Sequence, residues 1–254
     1  MAIYIATHKN FKVPNLDKIY IPLQVGASGK KNLGYLKDNT GDNISEKNAN
    51  YCELTGLYWA WKNDNNSKIK GLVHYRRYFT KYRFSVSAKG FLCENEINQI
   101  LNEYDIILSK KEYFKETAWE EYHMVCGLEK DLKRVEKILR ENYPEYLPAF
   151  NKYFSGNVSS LFNMMICKSD LFDEYCQWLF DILFQLEKEI DWKEYDDYQK
   201  RLFGFMSERL LNVWVIHKGL RIKEYRTVNT EMKFMDRVRI WLRRYKNKYL
   251  FAHR

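Results

Sequence analysis

The sequence predicts an α/β fold: a mostly parallel central sheet flanked by helices, followed by an amphipathic helix at the C-terminus. Three observations predict it. Apolar, strand-like runs alternate with amphipathic helical stretches along most of the chain. Several runs close in polar or basic residues, as strands do where an open α/β sheet presents a ligand site. Residues 234–249 combine helical apolar spacing with a dense set of arginines and lysines. The expected division is a main domain over residues 1–230 and a basic helix over 231–254.

Composition narrows the classes. The 254 residues suit one large domain or two small ones. Hydrophobic residues make up 46% and aromatics 17%, enough for a large core with rings left to line a pocket. A net charge of +9 suits nucleic acid, an anionic membrane surface or a phosphorylated ligand. Cys52, Cys93, Cys126, Cys167 and Cys176 are scattered without a C-x-x-C pair, which argues against a disulfide framework or zinc site and fits a reducing compartment. No basic segment leads into a long apolar run at the start, and no run of about eighteen apolar residues occurs, so neither a signal peptide nor a membrane span is expected.

In chain order, residues 2–9 read as a buried strand ending in Thr7, His8 and Lys9, where ligand contacts would fall. Residues 20–27 form a second apolar run, broken by Pro22 and carrying Gln24, Val25 and Gly26; the segment to Gly41 has loop chemistry but not P-loop spacing. A helix is predicted over about 46–63, capped by Asp42, Asn43 or Ser45, with Leu54, Leu57, Tyr58 and Trp61 on its buried face. Asn50, Glu53 and Asn43 could reach a ligand from its start; capping explains Asn43 equally well.

The stretch Lys70-Gly71-Leu72-Val73-His74-Tyr75-Arg76-Arg77-Tyr78-Phe79 begins as an apolar strand and ends in a histidine and two arginines. Adjacent guanidiniums there suit a phosphate or carboxylate, whereas an edge strand with solvated arginines is the bland alternative. Alternation along the strand sends His74 and Arg76 to one face and Arg77 to the other. Further elements are a polar loop over 80–90, helices over 94–103 and 129–142, a long helix capped by Ser169 or Asp170 with an apolar stripe from Leu171 to Leu186, strands over 104–109 and 159–167, an irregular stretch over 112–127, a helix opening at 195–199 and continuing through Trp214, extendable over 213–217, and a last strand over 221–226. In the tail, Phe234, Val238, Trp241, Leu242, Tyr245 and Tyr249 share a helical face among basic residues, the pattern of an interfacial membrane helix or of a helix docked on its own domain.

Several segments in order carry a resemblance. They are Ile21-Pro22-Leu23-Gln24-Val25-Gly26-Ala27; Gly41-Asp42-Asn43-Ile44-Ser45-Glu46-Lys47-Asn48 with Tyr51-Cys52-Glu53-Leu54-Thr55-Gly56; His74-Tyr75-Arg76-Arg77-Tyr78-Phe79; Phe162-Asn163-Met164; and Ser207-Glu208-Arg209-Leu210. Over about residues 2–230 the chain resembles the domain-of-unknown-function 4422 family of bacterial capsular and exopolysaccharide glycosyltransferases. The resemblance implies a GT-A-like fold and transfer of a sugar, galactofuranose among the candidates, from a UDP-sugar to a lipid-linked glycan acceptor. It implies a place on the cytoplasmic face of the bacterial plasma membrane, with the basic helix on anionic lipid.

In that scheme Thr7, His8, Lys9, Gln24, Val25, Gly26, Asp42, Asn43, Arg76 and Arg77 are the donor-side candidates, and His123 and Asn163 the acceptor-side ones. GT-A enzymes usually place an Asp-x-Asp and a divalent metal, Mn2+ or Mg2+, at the donor diphosphate. Here His74, Arg76 and Arg77 stand at the equivalent-looking strand end, so no metal ligands are assigned and the cations are expected to take over some or all of the metal's work. For a base acting on the acceptor hydroxyl, Glu208 leads Asp197 and Asp196, with Glu120, Glu121 and His123 behind; a salt bridge to Arg201 or Arg209 is the alternative for Glu208. Two other classes compete. A nucleic-acid-binding module would use the charge and the aromatics, but the basic residues concentrate in the tail without a recognisable motif, so nucleic acid is not an expected partner. A nonenzymatic scaffold of a polysaccharide assembly is the third.

Overall fold

The structure, a computed structural model, describes residues 1–125 and 127–252. Cys126 lies outside the described residues; Cys52, Cys93, Cys167 and Cys176 are free thiols. In order the elements are β1 (Ala2–Thr7), β2 (Tyr20–Gln24), β3 (Leu36–Lys37), α1 (Asn48–Tyr51), α2 (Leu54–Asn63), β4 (Ile69–His74), β5 (Arg77–Thr80), α3 (Glu94–Glu103), β6 (Ile106–Ser109), β7 (Glu112–Tyr113), α4 (Ala118–Val125), α5 (Glu129–Asn142), α6 (Leu147–Ser155), β8 (Val158–Ser159), β9 (Met165–Lys168), α7 (Ser169–Glu187), α8 (Leu202–Lys218), β10 (Ile222–Asn229) and α9 (Phe234–Phe251).

One eight-stranded sheet organises the chain, with β7 and β8 forming a separate ribbon. β3, β2, β1 and β4 lie side by side and parallel. Pro22 is tolerated within β2 because β3 pairs only with Leu23 and Gln24, leaving the outer side of Pro22 without a ladder partner. β4 then forks: residues Ile69 to Leu72 pair antiparallel with β9, and His74 pairs antiparallel with Arg77 of β5. β9 pairs with β6, β6 with β10, and β10 with β5, so these strands close a circuit. Four pairings are parallel and four antiparallel, so the sheet is mixed rather than mostly parallel. The expectation missed two reversals: the hairpin at Tyr75 and Arg76, and the return of β9 between β4 and β6.

Each face of the sheet buries its own core. On one, Tyr4, Leu72, Leu108 and Met165 pack against the apolar stripes of α2, α5, α6, α7 and α8. On the other, Ile3, Ile5, Val73, Phe79 and Ile107 pack with Ile97 and Leu101 of α3. The predicted helix over 46–63 is broken at Cys52, whose φ of 53° no continuing helix allows. The predicted strand over 159–167 is likewise split, with Phe162 at φ 67°. α9 is held by an ion pair between Arg244 and Glu112, by Asn157 Nδ2 donating to the Phe251 carbonyl at 2.9 Å, and by Trp241 against Phe84 at 5.6 Å. No helix among the described residues is long and apolar enough to cross a membrane.

Candidate functional site

The site begins at the hairpin. Tyr75 and Arg76 form its two-residue turn, which makes His74 and Arg77 direct cross-strand partners. Directly opposed residues share a face of the sheet. The expected separation of His74 from Arg77 is therefore overturned, because Arg76 belongs to the turn and strand alternation does not extend through it. Tyr75 is buried, with the His8 ring edge-on to it at 5.4 Å.

Two breaks in regular structure aim polar groups at this strand end. The turn at Cys52 releases Glu53 ahead of α2, and the turn at Phe162 presents Asn163. Asn163 Nδ2 donates to Glu53 Oε1 at 2.7 Å and to the Gly204 carbonyl at 3.0 Å, while Ser207 Oγ donates to Asn163 Oδ1 at 2.8 Å. Glu53 Oε1 lies 3.9 Å from His74 Nε2. A Cβ on Gly204 would come within 3.2 Å of Cys52 Sγ, so the close approach of α8 to the Cys52 turn favours glycine there. Non-glycine residues held at positive φ beside a polar cluster mark a site where packing over-determines the backbone.

Burial lowers the His74 pKa; Arg77, Arg76 and Arg201 push the same way, and Glu53 opposes them. The imidazole is thus neutral at pH 7, and its buried Nε2 has no hydrogen-bond partner among the described residues. Glu208 lies beside Ser207 on α8. Removal from water, reinforced by Glu53 and Glu121, pushes its carboxyl up to about 7 against the pull of Arg209 and Arg77. Arg209 donates to Glu121 at 2.5 Å and more loosely to Glu208 at 3.4 Å. Glu121 is therefore the closer counter-ion of Arg209, and Glu208 keeps lone pairs for another partner. The guanidinium of Arg77 lies 4.6 Å from the Phe162 ring centroid.

A second group of cations gathers at the ends of β1 and β4. Burial lowers the His8 pKa, with Lys9, Lys30, Arg76 and Arg201 adding to the effect. Lys9 and Arg76 share one carboxylate, Glu231, at 3.3 and 3.7 Å. A carboxylate there occupies the position of an anion between two cations. Arg201 Nε donates to Cys52 Sγ at 3.5 Å, which ties this group to the Glu53 turn.

Other expected site residues have structural work. Thr7 Oγ1 donates to the Lys9 carbonyl at 2.6 Å, Gln24 braces the loop at Lys31 and Leu33, and Val25 is buried in the core. Gly26 sits at φ 60°, and a Cβ there would fall 2.3 Å from Asn48 Oδ1. Asp42 accepts from Tyr58, and Asn43 donates to the Gly41 carbonyl, so both serve a turn against the later part of α2 rather than the His74 end. Asp196 accepts from the backbone of Tyr198 and Gln199, Asp197 is 99% exposed and paired with Lys200, and Glu120 caps α4 at Thr117. His123 is exposed beside Glu129 of α5.

Nothing in the sequence marks Lys30, Glu231 or Asp38 as site residues. The Asp38 carboxylate is fully buried and accepts from the backbone of Gly26 and Ala27 and from Ser45 Oγ. Its role depends on two loops meeting, which no local spacing reveals.

The donor set at these strand ends suits an anion. No group of three His, Cys, Asp or Glu side chains that could hold a metal ion exists among the described residues. The positions nearest the turn are His74, Arg76 and Arg77, which do not fit a divalent cation.

A mixed α/β sheet with cations gathered at its strand ends places the chain in a class that includes a solved glycosyltransferase. The structure of the bifunctional glycosyltransferase WbbM in its apo form matches with a TM-score of 0.83 and 31% identity, over 91% of this chain and 45% of that one. The chain thus spans less than half the length of WbbM. The chain belongs to the family described as Domain of unknown function (DUF4422), whose model matches residues 2–219. No curated protein matches.

Proposed function

We infer that the chain is a GT-A-like glycosyltransferase that moves a hexosyl group from a UDP-sugar to a lipid-linked glycan of bacterial capsule or exopolysaccharide synthesis. Galactofuranose is the donor sugar put forward first, on the family resemblance. The observation that carries the reading is the convergence of Lys9, Arg76, Arg77 and His74 on strand ends beside a carboxyl pushed up to about 7.

The roles follow from chemistry. Lys9 and Arg76 exchange Glu231 for the donor diphosphate. Arg77 and His74 face the departing UDP, and neutral His74 donates a hydrogen bond through Nε2–H to the charge developing on that group. Glu208 takes the proton of the acceptor hydroxyl, since a base works best when its pKa lies near the operating pH. Asn163 and Ser207 position Glu53 and, through it, His74. The outward residues of α9, among them Phe234, Leu242 and Tyr249, are more than half exposed and lie among arginines and lysines, which supports contact with an anionic membrane surface on the cytoplasmic side.

Calorimetric titration with UDP in EDTA tests the donor half. Binding that weakens on Arg76→Gln and Arg77→Gln is expected; binding only with Mn2+ would reject the cation scheme. No observation favours nucleic acid as the ligand over a nucleotide sugar.

A further inference from the structure

One large feature has no role in this scheme. A cavity of about 720 Å³ lies between α9, the strands that carry Arg77 and Arg226, and Lys110 just after β6. Nine arginines and lysines line it against a single carboxylate, Glu112. Of these cations only Lys111 and Arg244 form ion pairs, with Glu224 and Glu112, among the described residues. Nε of Arg237 and Nε of Arg244 are buried with no hydrogen-bond partner. Solvated surface cations spread apart, whereas these converge on one cavity, where their mutual repulsion is less screened than in open water. An anion in the cavity removes that repulsion.

The walls say more about the ligand. Phe162, Tyr113, Trp241 and Tyr245 add ring faces to the cationic lining. The volume suits a ligand of disaccharide or short prenyl size. Arg77 and Phe162 belong to this wall, and Arg77, which lies over the Phe162 ring, also acts electrostatically on Glu208. Arg77, which faces the departing UDP in the proposed scheme, therefore borders the cavity as well, whereas neither Lys9 nor Arg76 lines it.

We propose that the cavity beneath α9 is a second anion site that holds the phosphate- or diphosphate-bearing end of the acceptor. The assignment rests on the glycosyl-transfer reading for the word acceptor. The site itself rests only on the cavity. Arginine forks supply bidentate contacts to phosphate oxygens, and the rings receive the adjoining sugar or isoprenoid.

The test is calorimetric titration of geranyl diphosphate into protein already saturated with UDP. One further binding event is expected, weakened at least about tenfold by Arg226→Gln, and separately by Arg243→Gln with Lys248→Gln, while UDP affinity and the melting temperature stay unchanged. No second event, or one that competes with UDP, overturns the site. Binding of phosphatidylglycerol vesicles that is lost in the same variants, with no binding of geranyl diphosphate, makes it a phospholipid headgroup site and overturns the acceptor assignment. Geranyl diphosphate binding in protein that does not bind UDP leaves the anion site standing and removes the glycosyl-transfer reading.

Discussion

At the scale of single residues, Glu208 and Glu231 carry the most testable chemistry. Glu208→Gln should lower transfer by about 100-fold or more, with UDP affinity unchanged. The same substitution has a stability signature. The ordinary value of the Glu208 carboxyl is 4.5 and its folded value about 7, so the folded protein keeps a proton that the unfolded chain releases. Stability from this group is present below pH 4.5 and is lost as pH rises through 7. Removing the carboxyl should therefore raise the melting temperature at about pH 8, by up to about 3 kcal/mol of stability, and do little near pH 4.5. An equal effect at both pH values would place Glu208 in water. Glu231→Gln frees Lys9 and Arg76 from an internal counter-ion and should tighten UDP binding about threefold at low salt, since half-exposed pairs contribute little. Weaker binding in that variant would make Glu231 part of the donor site.

At the scale of elements, much of the fold was legible. The helices over 94–103 and 129–142 and the long helix that starts at Ser169 lie where the apolar spacing puts them, and β1, β4 and β6 where short apolar runs meet polar residues. What was not legible are the breaks. The turn at Tyr75 and Arg76 lacks glycine, proline, asparagine and aspartate, so nothing local announces a hairpin. Cys52 and Phe162 take positive φ without being glycine; tertiary bonds through Glu53, Asn163 and Gly204 hold them there. The candidate site is built at those unannounced places, which is why the partnership of His74 with Arg77 and Glu53 could not be read from the sequence. The Gly26 turn offers a check on the loop that carries Lys30. Gly26→Ala puts a Cβ at positive φ and 2.3 Å from Asn48 Oδ1, so a loss of about 1–3 kcal/mol and weaker UDP binding are expected. Unchanged denaturant unfolding would show that the loop yields freely.

At the scale of the whole molecule, the forked strand β4 connects two groups of cations. Its last residue pairs with Ala6 of β1, the strand that leads to Lys9, and its hairpin partner Arg77 lines the cavity under α9. α9 then has an inward side at that cavity and an outward side with Leu242 and Tyr249 exposed. Removing the helix would disturb both, because Arg244 and the Phe251 carbonyl anchor it to Glu112 and Asn157. Leu242→Ser with Tyr249→Ser is the cleaner change. Co-sedimentation with phosphatidylglycerol vesicles should fall several-fold while the melting temperature stays the same; full retention would argue that α9 does not meet lipid through this side.

The central claim is that protein cations, rather than a metal held by carboxylates, meet the departing diphosphate. UDP release from a panel of UDP-sugars, measured in EDTA for the wild type and for Arg77→Gln, tests it most directly. The account predicts release by the wild type without metal and a loss of about 100-fold in the variant. Release that vanishes in EDTA and returns with Mn2+, or that is indifferent to Arg77→Gln, would contradict it.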